Sequence, residues 1–341
     1  MRLNIKNMII RTLVEGHFCL RSMALRSATG VAAAMLLAAG VASAQTYPAR
    51  TIRVVSGAAG GAADIGARII ANGISGPLGQ QIIIENRGGG TVPADLVSKA
   101  PADGYTLLYA SSGMWLAPFL RDKLSYDPVK DFAPVTLATT APNVLVVHPS
   151  VKANSVQELI ALLKANPGRL NYAASNIGGA AHLAGELFKS MAGVDIVTIP
   201  YKGGGPANLA LISGEVQLMF ATAGGVLPFI KAGKVRALAV STPKPTPLFP
   251  DLPTIAAAGG LQGYEIRSSN GLLAPAKTPE PIVRRLYQEI AQFMKQPAIQ
   301  KRFFDEGADA LASTPEEFAA VIRSDMTVLG KVIKDAGIRE E

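Results

Sequence analysis

The sequence predicts an α/β protein built from two similar units. From Thr51 onward, short apolar runs rich in β-branched residues alternate with segments whose apolar residues fall at helical spacing. The same plan of strand, glycine-rich loop and helix returns about 120 residues later. The C-terminal part is helical and carries clear start and stop signals.

The first unit opens on "TIRVVS" (Thr51–Ser56), a strand-like run, and continues into "SGAAGGAADIGAR" (Ser56–Arg68). Past the glycines stands Asp64, read as an N-cap. Ile65, Ile69, Ile70, Ile74 and Leu78 then form a helical stripe, and Gly79 stops it. "QIIIE" (Gln81–Glu85) reads as a buried strand and "GYTLLYASS" (Gly104–Ser112) as another. This βαβ order predicts a largely parallel sheet.

In the second unit, "RLNYAAS" (Arg169–Ser175) is strand-like and "NIGGAAH" (Asn176–His182) is a second Gly/Ala loop. Leu183, Leu187, Phe188 and Met191 continue as a helical stripe. "VDIVTIPY" (Val194–Tyr201) is the next strand, and "KGGGP" (Lys202–Pro206) a third glycine cluster. Further on, Thr278–Pro279 opens a helix with Pro at its first position. "DEGADAL" (Asp305–Leu311) turns into a short strand. "TPEEF" (Thr314–Phe318) spells a capping box with Thr314 and Glu317, and its helix runs to about Ala336 before Gly337. Ligands of open α/β sheets bind outside the carboxyl ends of the strands. Two such edges facing each other make a cleft between domains.

The N-terminus predicts export. "VAAAMLLAAGVA" (31–42) follows Arg21 and Arg26 and precedes "ASA" (42–44), the pattern of a cleavable signal peptide over 1–44. Translation starts at Met1 or at Met23. The single cysteine, Cys19, lies in this leader, so the mature chain has no thiol, disulfide or Cys-held zinc. Removing 44 of the 341 residues leaves 297, enough for two cores. The leader holds five Lys/Arg and one Glu, so its loss takes the formal charge from +8 to +4. No basic run remains, which excludes a nucleic-acid surface.

The glycine loops match no nucleotide or hydrolase motif. "GAAGG" (57–61) is not G-x-G-x-x-G, and no Walker loop, G-x-S-x-G or H-E-x-x-H occurs. The mature chain has two histidines, His148 and His182. A hydrolase pairing Ser175 with His182 lacks a placed acid. What fits is a small anion. The first N–H groups of a helix have no internal partner and carry partial positive charge, and small residues leave them uncovered. The alternative reading is a tight strand-to-helix turn.

At these residues the chain resembles the Bug proteins, the TctC-like periplasmic substrate-binding receptors of tripartite tricarboxylate transporters. The motifs run in order from "GGAADIGARIIA" (60–71), "LGQQIIIENRGGG" (78–90), "ADGYTLLYASS" (102–112) and "SYDPVKDFAPVTL" (125–137). They continue with "HLAGELF" (182–188), "IPYKGGGPA" (199–207), "IKAGKVRALAVST" (230–242), "FPDLPTIAAAG" (249–259) and "GLLAPAKTP" (271–279). The resemblance covers Tyr47 to about Gly337.

It implies a two-domain α/β Venus-flytrap fold of the periplasmic-binding-protein type (type II-like). One domain spans 47–142 plus 268–341, the other 143–267, with the ligand between them. It implies a small carboxylate-bearing ligand held by backbone amides of the two loops, delivery to integral-membrane transporter subunits, a periplasmic monomer, no cofactor, no metal and no catalysis. Site residues carried over or placed at these edges are Ser56, Gly57, Gly60, Gly61, Ala62 and Asp64 in the first loop. Ser111 and Ser112 lie at the next strand end. Ser175, Gly178, Gly179 and His182 belong to the second loop, Tyr201, Lys202 and Gly203 to the third, and Ala221 to a following strand.

Departures from the family pattern concern the ligand. Ser56 and Gly57 stand where Pro and an aromatic are usual, and Gly179–Ala180 where a hydroxyl is usual. Ala221 replaces an Asp and Ser269 a Trp, while Met114–Trp115 occupy a loop more often His-Ala. Asp64 is read as an N-cap or a ligand contact, His182 as a helix-start residue or a ligand donor, and Tyr201 and Lys202 as a solvated strand end or a contact. Trp115 is either core or a cleft wall. The functional expectation is a solute-binding protein for a transporter. A receptor for a sensor kinase and a secreted serine hydrolase are the alternatives.

Overall fold

The computed structural model describes residues 47–339 apart from Ala58, Gly60, Gly61, Gly89, Asn176 and Lys202; the Ala62 side chain is also not described. The expected leader with Cys19 therefore lies outside the described residues, as do the site candidates Gly60, Gly61 and Lys202.

Strand β1 (Ile52–Ser56) lies between β2 (Ile82–Asn86) and β3 (Thr106–Ser111), all parallel. Helix α1 (Ala62–Leu78) makes the first crossover; its buried Ala67, Ile70, Ala71, Ile74 and Leu78 form one stripe. Gly79 ends it at φ 68°. Helices α2 (Val92–Ser98) and α3 (Gly113–Leu120) follow β2 and β3. Asp64 is the third residue of α1, one turn inside the position expected for a cap.

The sequence reading underestimated the antiparallel content. The 16-residue β4 (Phe132–Val147) pairs antiparallel with β9 (Arg267–Pro275) along Phe132–Pro142. From Asn143 to Val147 it pairs instead with β7 (Leu218–Thr222), and over Val144–Val147 with β8 (Arg236–Val240). Pro142, which cannot donate to a ladder, stands at the change of partner. The sheet order is β2-β1-β3-β9-β4-β7-β5-β6, with β8 and β10 (Asp309–Ala310) also on β4. In the second half β5 (Asn171–Ala174) is parallel to both β6 (Val197–Pro200) and β7.

The helices of this half are α4 (Val156–Ala165), α5 (Ala180–Ala192), α6 (Gly204–Ser213), α7 (Ala223–Lys231) and α8 (Ile255–Gly259). The chain ends in α9 (Glu280–Met294), α10 (Pro297–Asp305) and α11 (Pro315–Asp335). Pro279 is the N-cap of α9, one place before the expected position. The Thr314–Glu317 capping box forms in both directions.

One apolar cluster runs through Trp115 and Leu116 of α3, Leu183 and Phe188 of α5, and Phe318 and Ile322 of α11. Trp115 is fully buried, sets its ring edge-on to Phe318 at 5.6 Å, and donates its indole N–H to Asp325 at 2.9 Å. It is a core residue.

Candidate functional site

The parallel strands of each half end together: Ser56 aligns with Asn86 and Tyr109, and Ala174 with Pro200. Glycine-rich loops leave both edges. Among the described residues side-chain caps are found only away from these edges, although α9 and α10, also away from them, have none. Helices α4, α8 and α11 are closed by the side chains of Ser155, Thr254 and Thr314, each accepting from a backbone N–H. None of these starts at the end of a parallel strand. Helices α2, α3, α5, α6 and α7 do, and none of them has a side-chain cap. Their first N–H groups are left to the loops and to whatever enters there.

The first loop is tied by side chains. Asn86, at the end of β2, donates from one amide nitrogen to the Gly57 carbonyl (2.9 Å) and to Asp64 Oδ1 (2.8 Å). Arg68 completes the set with Nε 3.0 Å from Asp64 Oδ1 and an N–H 2.7 Å from Asn86 Oδ1. The buried Asp64 carboxylate thus faces a cation one helical turn along. Through Asn86 it is linked to the Gly57 carbonyl. Ser56 is fully buried, its carbonyl accepts from Arg87 N–H (2.9 Å), and its hydroxyl has no partner among the described residues. Ser111 is exposed at the end of β3; Ser112 is buried, starts α3, and donates its N–H to the Ser269 carbonyl (3.0 Å).

The second and third loops are tied to each other through the backbone. Tyr201 N–H donates to Ala174 O (2.8 Å), and Gly203 N–H to Ser175 O (2.6 Å). Gly203 caps α6 at φ 107°, a conformation that favours glycine. Gly178 has φ 73°, and a Cβ there would lie 2.2 Å from Leu120 Cδ1. Gly179 caps α5 with no side chain to offer. His182 is buried in the first turn of α5, where its Nδ1 accepts from Gly178 N–H at 3.0 Å. Tyr201 gives its hydroxyl to Glu215 at 2.7 Å; burial and this carboxylate push its pKa up to about 12. Ala221 is buried within β7, in the apolar cluster of this half.

Sequence reasoning missed Asn86 and Arg68, which lie inside quoted motifs. A polar residue ending an otherwise apolar strand was the available signal for Asn86. Among the described residues no cluster of His, Cys, Asp or Glu has the makings of a metal site. No described helix is long and apolar enough to cross a membrane.

The family model described as "Tripartite tricarboxylate transporter family receptor" matches residues 66–338. The chain belongs to the TctC family. Its relatives include BugT of Bordetella pertussis, 34% identical over 302 residues that cover 87% of this chain and 92% of that one. Among solved structures, Rpa4515 of R. palustris with adipate is 36% identical with a TM-score of 0.78, covering 86% of this chain and 99% of that one. MatC from Rhodopseudomonas palustris with bound malate is 33% identical with a TM-score of 0.75, covering 84% and 100%. This TctC protein accordingly has the two-domain α/β fold of periplasmic binding proteins and is a solute-binding protein of that type. The family and these neighbours are binding proteins.

Proposed function

We propose that this protein captures one small organic acid in the cleft between its two lobes. It gives the acid's carboxylate to backbone amides of the first and second loops and passes it to membrane transporter subunits. The start of α5 carries this reading: at the end of parallel strand β5, Gly179 offers no side chain to cover the first amides of the helix. An open helix start suits an anion without a Lys or Arg partner. The malate and adipate of the solved relatives support the ligand class.

The lobes divide at 142/143 and 267/268, a division supported by β4 changing partners after Pro142. The leader over 1–44 directs the chain to the periplasm as a monomer without cofactor. A binding role rather than hydrolysis is supported at His182: its Nδ1 is taken by Gly178, its Nε2 faces Glu186, and among the described residues no serine bonds to it.

The ligand carries one carboxylate and a less polar remainder, aromatic or branched. Gly57, Gly179 and Ala180 offer no polar side chain for a second charge, Ala221 being packed in the apolar cluster, and an unpaired buried charge costs several kcal/mol. A thermal-shift screen over organic acids tests the reading. A ligand at 100-fold its Kd adds about 2.7 kcal/mol of stability.

A further inference from the structure

The second loop is held by a titratable group. Gly178 N–H can only donate, so the His182 Nδ1 that accepts it at 3.0 Å carries no proton. The neutral ring therefore bears its proton on Nε2, which lies 3.7 Å from Glu186 Oε1. That oxygen already has three other donors. It accepts from the hydroxyls of Tyr172 (2.6 Å) and Thr198 (2.9 Å) and from the Lys189 ammonium (3.1 Å).

These are the charged and titratable groups about the ring among the described residues: Glu186 and Lys189 from its own helix, and Tyr172 from β5, whose ring stacks on it at 16°. Tyr264 gives its hydroxyl to the Ala184 carbonyl of α5. The Gly178 peptide is thus clasped between His182 and Leu120, the latter from the other lobe.

We propose that His182 is the positioning residue of the second loop, and that a solvent proton taken up at its Nδ1 releases the Gly178 amide and weakens ligand binding. The ligand part rests on the loops being the carboxylate cradle; the loop part does not. In the protonated ring both nitrogens donate, and two donors, Nδ1–H and Gly178 N–H, then point at each other. The peptide must move, and with it the N-terminal turn of α5. Burial holds the His182 pKa below the usual histidine value, with Glu186 opposing, so the change falls on the acid side of neutrality.

The test uses imidazole ¹⁵N NMR, Gly178 amide protection and calorimetry with adipate and benzoate as probes, from pH 8 to pH 5. The NMR signal lost in His182→Gln is expected to show the Nε2–H tautomer at pH 8. Gly178 protection is expected to fall at least tenfold on acidification in the wild type and to stay level in His182→Asn, whose amide oxygen can accept from Gly178 without titrating. Affinity for a probe that binds is expected to follow the same two profiles, while His182→Ala is weak throughout.

A proton on Nδ1 at pH 8, or equal acid loss of Gly178 protection in wild type and His182→Asn, overturns the proposal. If neither probe binds, the tautomer and the protection profile still decide it, and the failure belongs to the ligand assignment.

Discussion

The two loops proposed to hold the carboxylate are pinned by different chemistry. The first is pinned by side chains that reach it from the helix it starts and from the neighbouring strand: Asp64, Arg68 and Asn86. No imidazole takes part in this clasp. The second is pinned by backbone bonds to the third loop and by one imidazole. Its clasp switches off with a single proton. One loop can therefore stay formed while the other responds to conditions, which gives a two-lobed receptor a fixed half and an adjustable half.

Substitutions that strike only one loop separate the halves. The largest effect is expected for Gly178→Val. Its φ of 73° and the Leu120 methyl at 2.2 Å both oppose a branched side chain. A left-handed backbone costs about 1–2 kcal/mol and overpacking about 1–3. Denaturant unfolding should show a loss of at least about 2 kcal/mol, and calorimetry a loss of carboxylate binding. Asn86→Ala should cost less. It removes the bonds to Gly57, Asp64 and Arg68, of which the one to the Gly57 carbonyl is worth about 0.5–1.5 kcal/mol. The drop in affinity should be the same at pH 8 and pH 6, because no imidazole takes part in the first clasp.

Acid unfolding sharpens the contrast. His182 in the folded state binds its proton below the usual value near 6.5, so the unfolded chain takes up more protons as pH falls past that point. Stability from this residue is whole well above pH 6.5 and is lost as pH falls through the window beneath it. For Glu186 burial pushes upward, but the bonds from Tyr172, Lys189 and Thr198 more than offset it, and the pKa lies below the usual 4.5. Its contribution is present above 4.5 and is lost only in stronger acid. A stability profile whose upper limb disappears in His182→Asn fits this; an unchanged profile does not. The smallest effects mark the frame. Thr314→Ala should cost about 1 kcal/mol of stability with no change in affinity. Gly57→Ala, with open space around it, should stay within about 0.5 kcal/mol.

The sequence made some of this legible and hid the rest for physical reasons. Parallel strands ending in glycine loops were visible, because "TIRVVS" and "RLNYAAS" are β-rich runs broken by residues that favour turns. The capping box at Thr314 was visible because its two partners are three residues apart. Strand β4 was not, since Pro134 and Pro142 interrupt its pattern and its pairing partners lie far along the chain. Asn86 stands 22 positions from Asp64, and only the fold brings them together. His182 read as a helix-start residue or a ligand donor. Its bond to Gly178 depends on a backbone turn that the sequence hints at only through glycine.

The two loops are proposed to hold the carboxylate of one ligand per chain. Isothermal titration of the purified protein with a panel of organic acids tests this most directly. The expected result is a single saturable site that prefers an aromatic or branched monocarboxylate over aspartate, glutamate and citrate, and that Gly178→Val abolishes. Full affinity in both Gly178→Val and Asn86→Ala, or no binding across the panel, would contradict it.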